Sequence, residues 1–257
     1  MEVTAAPSGD STATLASLYV EPKAPAGPQE WPALHFADVF KIFRSGGDGG
    51  GIVETVALGG LELEVAQGEL VAVIGPSGCG KSTFLSLAAG LDEPSAGDVS
   101  AFGTSLSRLD EAGLAAYRAR KTAVIFQSEN LWPGLTAQEN VETMLRLAGT
   151  SDAGKTAGEA LASFGLGDRR SHRVAALSGG EQQRVAVAGA AARRADLVLA
   201  DEPTGELDEA NEAIVLDALR ELREAYGATV IVVSHSPRVA DFADRVIELH
   251  DGRVVTS

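Results

Sequence analysis

Cysteine is nearly missing from this 257-residue chain: Cys79 is the only one. A single thiol excludes a disulfide within the chain, and a reducing, cytosolic setting is the simpler expectation. No apolar run reaches the about eighteen residues that would span a bilayer. The N-terminus has no basic start followed by an apolar core, so no signal peptide is expected. Positive charge is in deficit, with 21 Lys and Arg against 36 Asp and Glu and a net charge of −15. A duplex would repel such a surface, which argues against nucleic acid as a general partner. What the chain does have is an apolar fraction of 45%, enough for an α/β protein with a real core.

Residues 1–32 are rich in Ala, Pro, Ser, Thr and Gly, with prolines at 22, 25, 28 and 32. Such a segment cannot bury enough surface to offset its ordering entropy, so a flexible tail is expected. From Leu34 to residue 257 the pattern is that of a folded domain. Strands are expected at 34–37, 39–43, 53–58 and 61–65, with a glycine-rich loop at 45–51. Further strands are expected at 70–74, 97–103, 122–126, 197–200 and 229–233, and a closing hairpin turns at Asp251-Gly252. Helices are expected at 84–89, 112–120, 155–164 and 181–194, and another follows the loop at 203–208. Thr136-Ala137-Gln138-Glu139 is a capping-box pattern that opens one more helix, and Ser236-Pro237 fits an N-cap with proline at the first helical position. The result is a mixed α/β core with a mainly parallel sheet, interrupted by a mostly helical insert over about 128–194. Polar residues at the strand ends then converge on one sheet edge, where ligands bind in such sheets.

The chain is organised around Gly75-Pro76-Ser77-Gly78-Cys79-Gly80-Lys81-Ser82-Thr83, set between the apolar run 70–74 and a helix. Strand, glycine-rich turn and helix is the context in which this spacing forms a phosphate loop. The glycines let successive N–H groups point inward, and the helix start adds unpaired donors and a positive dipole end. Lys81 supplies charge for the β- and γ-phosphates, and the Ser82 hydroxyl is placed to hold Mg²⁺. A nucleoside triphosphate is the expected ligand.

Two further signals follow. Asp201-Glu202 ends a strand buried on both faces, where packing alone would not select two carboxylates. An Asp there suits Mg²⁺, and the adjacent Glu can polarise a water for attack on the γ-phosphate. Leu177-Ser178-Gly179-Gly180-Glu181-Gln182-Gln183-Arg184 places a serine and two glycines before a helix. Ser178 can donate to a phosphate oxygen and the glycines permit close backbone approach. Two phosphate-binding helix starts with one nucleotide per chain are most economically explained by a dimer, each chain capping the nucleotide held by the other.

Together with His235 at a strand end, these motifs resemble the nucleotide-binding subunit of an ATP-binding cassette (ABC) transporter over residues 34–257. The resemblance implies the ABC ATPase fold: a P-loop NTPase core with a mixed or parallel sheet, an antiparallel β-subdomain and a helical subdomain. It implies ATP and Mg²⁺ as cofactors, hydrolysis of ATP, a second copy of the chain in a nucleotide sandwich, and separate transmembrane permease subunits, with no nucleic acid. It also implies a peripheral position on the cytoplasmic face of the membrane. Glu202 matches the catalytic base and His235 the switch histidine. Gln127 matches the glutamine that contacts Mg²⁺ and the attacking water. Ser178, Gly179, Gly180 and Glu181 match the signature that closes over the opposite ATP, Leu207-Asp208 the loop crossing the dimer seam, and Phe43 the aromatic that stacks on adenine, usually a tyrosine. A merely packed Phe43 is the alternative. Stretches at 90–97, 130–141 and 200–205 resemble the lipoprotein-releasing and macrolide-export branch.

There are departures. Glu206 stands where the family often has Asn, which adds charge near the seam, and Gly189 is expected to weaken its helix by about 1 kcal/mol relative to Ala. A soluble ABC ATPase of DNA repair would split its motifs with a long coiled coil, but no heptad run lies between Lys81 and Asp201. A regulatory cassette coupled to a membrane protein without transport is the other reading; intact Glu202 and His235 favour hydrolysis. Cys79 sits inside the phosphate cradle, near a helix N-terminus and Lys81, where thiols tend to be reactive. Alkylation of Cys79 is therefore expected to block ATP binding, and Mg-ATP to protect against it.

Overall fold

The computed structural model describes residues 31–46, 52–128 and 130–256. The tail expected over 1–32 lies outside them, apart from Trp31 and Pro32, as does most of the glycine-rich loop expected at 45–51. Trp31 already belongs to the folded unit, since its carbonyl accepts from Gln67 Nε2 at 2.9 Å.

Strands β1 (Leu34–Gly46) and β2 (Ile52–Val65) form a long antiparallel hairpin. Four short strands were expected here. They merge into two because register shifts around Asp38 and Gly60 absorb the interruptions as bulges rather than ending the ladder. With β4 (Ala96–Ala101) and β5 (Thr104–Ser105) they make a four-stranded antiparallel sheet, order β2-β1-β4-β5. The strand expected at 97–103 stops at Ala101, where Phe102 (φ 50°) and Gly103 (φ 77°) turn the chain.

The second sheet holds β3 (Leu70–Ile74), β6 (Thr122–Ile125), β7 (Leu197–Asp201), β8 (Thr229–Ser234), β9 (Arg245–His250) and β10 (Arg253–Thr256). Its order is β10-β9-β3-β8-β7-β6, parallel except for the β9–β10 hairpin. The strands are apolar on both faces because both are covered. Val71, Val73, Leu197, Leu199, Ile231 and Val233 face a layer shared with the antiparallel sheet and α1 (Lys81–Ala88), where Phe36 and Phe84 stack at 4.8 Å. Leu70, Ala72, Val198, Ala200, Val230 and Val232 face the other layer, shared with helices.

Those helices are mainly α3 (Ala137–Leu147), α4 (Ala153–Ser163), α5 (Gly179–Arg193) and α6 (Glu209–Tyr226), the first three lying in sequence between β6 and β7. The other two are α2 (Glu111–Arg120) and α7 (Pro237–Phe242). The capping box expected at Thr136 is present, and a second one at Ser178 opens α5 two residues earlier than expected. Ser236 does precede proline at the start of α7, but its hydroxyl donates to Glu212 Oε1 (3.1 Å) rather than capping its own helix.

Gly189 also has a packing role. A Cβ there would sit 2.8 Å from Met144 Sδ, so the glycine allows α5 to pack closely on α3. Its helix-propensity cost is the cost of that contact, not a free defect.

Candidate active site at the sheet edge

β3 delivers the phosphate loop. Gly80 (φ 107°) is the N-cap of α1, in a conformation that favours glycine, and a Cβ there would lie 2.5 Å from the carbonyl of Ala57. Gly75 is held to glycine by space: a Cβ would meet the Leu249 carbonyl at 2.2 Å. No side chain caps α1, so its first N–H groups remain available to an anion. Lys81 lies across the loop, its Nζ donating to the carbonyls of Gly75 (2.8 Å) and Pro76 (3.0 Å). Ser77 and Ser82 are exposed beside it.

Residue-pattern reading missed the brace under this loop. The Asp251-Gly252 turn carries Gly252 N–H to the Cys79 carbonyl (2.9 Å) and Gly252 C=O to the Gly59 amide (3.0 Å), so both sheets hold the loop through one residue. Asp-Gly signals a hairpin turn; nothing in it signals what the turn docks against.

Cys79 overturns the expectation of an accessible thiol. Cys79 is 3% exposed and belongs to the apolar layer between the sheets, with its Sγ beneath the loop 4.0 Å from Lys81 Nζ. The residue serves as a small packed side chain.

Across the edge, Asp201 ends β7 with its carboxyl near Ser82. Burial pushes the Asp201 carboxyl above its ordinary range against the Ser82 hydroxyl; the Glu202 charge adds to the rise and Lys81 opposes it. Glu202 has φ 46° and a side chain 15% exposed. Its Oε2 accepts from Ser234 Oγ and its Oε1 pairs with His235 Nδ1, each at 2.7 Å. Parallel pairing is responsible: Asp201 stands opposite Val233, and Glu202 N–H donates to the Val233 carbonyl at 2.9 Å.

Gln127 is exposed just beyond β6, with its side-chain amide beside Gly205. The segment is tied to α5: Gln183 Nε2 donates to the Gln127 carbonyl (2.7 Å), and Asn130 brackets Phe126 through its N–H and C=O, each at 2.6 Å. A cleft of about 300 Å³ opens here, lined by Gln127, Asn130, Leu131, Gln183, Pro203 and Glu206. Phe43 projects from β1, 46% exposed, with Lys41 Nζ 5.1 Å from its ring centroid, so it is not a core residue.

Ser178 to Glu181 stand apart. Ser178 N–H donates to Glu181 Oε2 (2.9 Å), and Arg169 Nε donates to Glu181 Oε1 (3.0 Å). The backbone N–H of Ser178 holds the Glu181 carboxyl below its ordinary range against desolvation, with lesser help from Arg169. No side-chain hydrogen bond or ion pair among the described residues joins this segment to the phosphate loop. Gly180 also packs within the chain: a Cβ there would meet Asn211 Oδ1 at 2.5 Å, so it seats α5 against the start of α6. Leu207 packs against the core near Gly179, and Asp208 caps α6 by accepting from Asn211 N–H at 2.9 Å.

Comparisons with known proteins identify the family. Residues 58–205 match the family described as ABC transporter. The chain is 43% identical over 86% of its length to an uncharacterized ABC transporter ATP-binding protein of Thermotoga maritima, covering 93% of that protein. It is 43% identical over 77% of its length to the lipoprotein-releasing system ATP-binding protein LolD of Bacteroides thetaiotaomicron, covering 91% of it. It is 40% identical over 87% of its length to the macrolide export ATP-binding/permease protein MacB of Azoarcus, of which it spans 34%. The solved dimer of the ATP-binding cassette MJ0796 in a post-hydrolysis state with ADP and Pi superposes with a TM-score of 0.78 at 37% identity, over 87% of this chain and 97% of that one. With the phosphate loop, the strand-end carboxylates and the cassette fold on one sheet edge, the chain belongs to the ABC transporter family as one of its ATP-binding ATPase cassettes.

Proposed function

We propose that this cassette hydrolyses ATP between two copies of the chain and so drives separate transmembrane permease subunits of the lipoprotein-releasing or drug-exporting kind. The observation that carries the pairing is the isolation of Ser178–Glu181 from the phosphate loop. Within one chain the signature has no phosphate to meet, whereas a second copy facing it would supply one. Among the described residues no helix is long and apolar enough to cross a membrane, which fits a subunit peripheral to the membrane on its cytoplasmic face. The cleft beside Gln127, with Phe126 and Trp132 nearby at 45% and 48% exposure, is the surface on which a permease segment would act.

Lys81 and the N–H groups at the start of α1 bind the phosphates, and the half-exposed Phe43 ring offers a surface to the base. Ser82, Asp201 and Gln127 present only oxygen ligands, and the elevated Asp201 carboxyl is the kind of group a cation relieves, so the set fits Mg²⁺. When bound, that ion neutralises phosphate charge. Glu202 orients and deprotonates water through one carboxylate oxygen, and His235, which now rests on Glu202, is free to turn to the γ-phosphate.

Glu202→Gln tests this. Turnover should fall about 10²–10⁴-fold, the range of lost general-base catalysis, while ATP binding persists and a closed dimer accumulates on sizing with light scattering. Wild-type phosphate release from that variant would remove Glu202 from its role.

A further inference from the structure

We propose that Ser234 is a positioning residue for the Glu202 carboxylate, anchoring Oε2 so that Oε1 is the oxygen presented to the attacking water. This rests on the reading of Glu202 as general base.

Ser234 is the last residue of β8 and is 1% exposed. Its Oγ has two polar neighbours, the Ser236 amide nitrogen at 3.1 Å and Glu202 Oε2 at 2.7 Å. An amide N–H can only donate, so the hydroxyl accepts there. Its one proton is left for the carboxylate, giving a short, charge-assisted bond of fixed direction. The amide itself cannot drift. Ser236 Oγ is held by Glu212 Oε1 (3.1 Å), and Glu212 Oε2 is held in turn by Arg238 Nη1 (3.2 Å).

The two oxygens of Glu202 are therefore unequal. Oε2 is bound by a buried hydroxyl at a strand end. Oε1 is bound by His235, whose side chain is 70% exposed and can move off without disturbing the core. Once it does, Oε1 is the vacant acceptor. The backbone supplies a second reason for an anchor. Glu202 is a non-glycine residue at φ 46°, a conformation that persists where surroundings over-determine it. The Val233 carbonyl pins its amide and Ser234 pins its side chain.

The test is a double-mutant cycle on the full chain, with phosphate release measured under single-turnover conditions and KM for Mg-ATP measured separately. Ser234→Ala should lower the rate about ten- to hundredfold, the cost of a small misplacement of a reacting group, with KM unchanged. Ser234→Thr, which keeps the hydroxyl, should recover most of the rate. In a Glu202→Gln background, Ser234→Ala should cost nothing further. A wild-type rate in Ser234→Ala, or an equal loss in both Glu202 backgrounds as a general folding defect would give, overturns the proposal. Failure of the underlying reading looks different: Glu202→Gln alone would then turn over like the wild type.

Discussion

Gly180, Gly189 and Cys79 owe their places to contacts that no neighbouring residue announces. Gly180 meets Asn211, whose amide is bonded to the Asp208 cap at 3.0 Å, so Gly180→Ala must push Asn211 off that cap. The expected loss is about 1–3 kcal/mol of overpacking, seen as a lower urea midpoint. Gly189→Ala gains helix propensity but forces Met144 to move. A flexible thioether can give way at some cost, so the net change should be near zero rather than the gain propensity alone promises. Both measurements use the same equilibrium unfolding assay. For Cys79, a maleimide should react slowly with the native chain and rapidly in denaturant, since the thiol is 3% exposed. Fast native labelling would mean that the loop opens more than its packing suggests.

At the level of elements, the helix starts are where charge and backbone meet. Glu139 and Glu181 close capping boxes on α3 and α5, and Asp208 caps α6. The donors at these helix starts hold all three carboxyls below their ordinary values of 4.5 for the glutamates and 3.8 for the aspartate. A folded-state value below the unfolded one adds stability that is full above the ordinary carboxylate range and is lost as pH falls through the folded values. The urea midpoint should therefore hold steady near neutrality and drop below about pH 4.5. Glu139→Gln should lessen that drop, and a curve of unchanged shape would deny the box its charge. Thr136→Ala, which removes the other half, should cost about 1 kcal/mol. The Thr136 box was legible from spacing alone because a cap is a local event, complete within four residues; the Ser178 box has the same spacing but reads at the sequence level only as a phosphate-binding turn. The long β1–β2 hairpin was not legible as two strands, because a bulge reads as an interruption until the partner strand carries the ladder past it.

For the whole molecule, the separation of the signature from the phosphate loop makes a prediction about pairs. Lys81→Ala should disable the loop of its own chain and Ser178→Arg the signature of its own chain, leaving each variant inactive alone. Mixed together, some dimers would unite the intact loop of one chain with the intact signature of the other, and ATPase activity should reappear. Continued silence from a mixture shown to form mixed dimers would count against a site shared between copies.

The sequence by itself determined the phosphate loop, the paired carboxylates, the signature, the strand-end histidine and most element types, because each is written in residues adjacent along the chain. Only the tertiary structure decided how they meet. Pairing of β7 with β8 in a particular parallel register puts Glu202 between Ser234 and His235. The β9–β10 turn braces the loop through Gly252, and burial between two sheets turns Cys79 from a reactive thiol into packing. Those outcomes depend on contacts between segments far apart in sequence, and strand register and sheet order leave no mark on either segment alone.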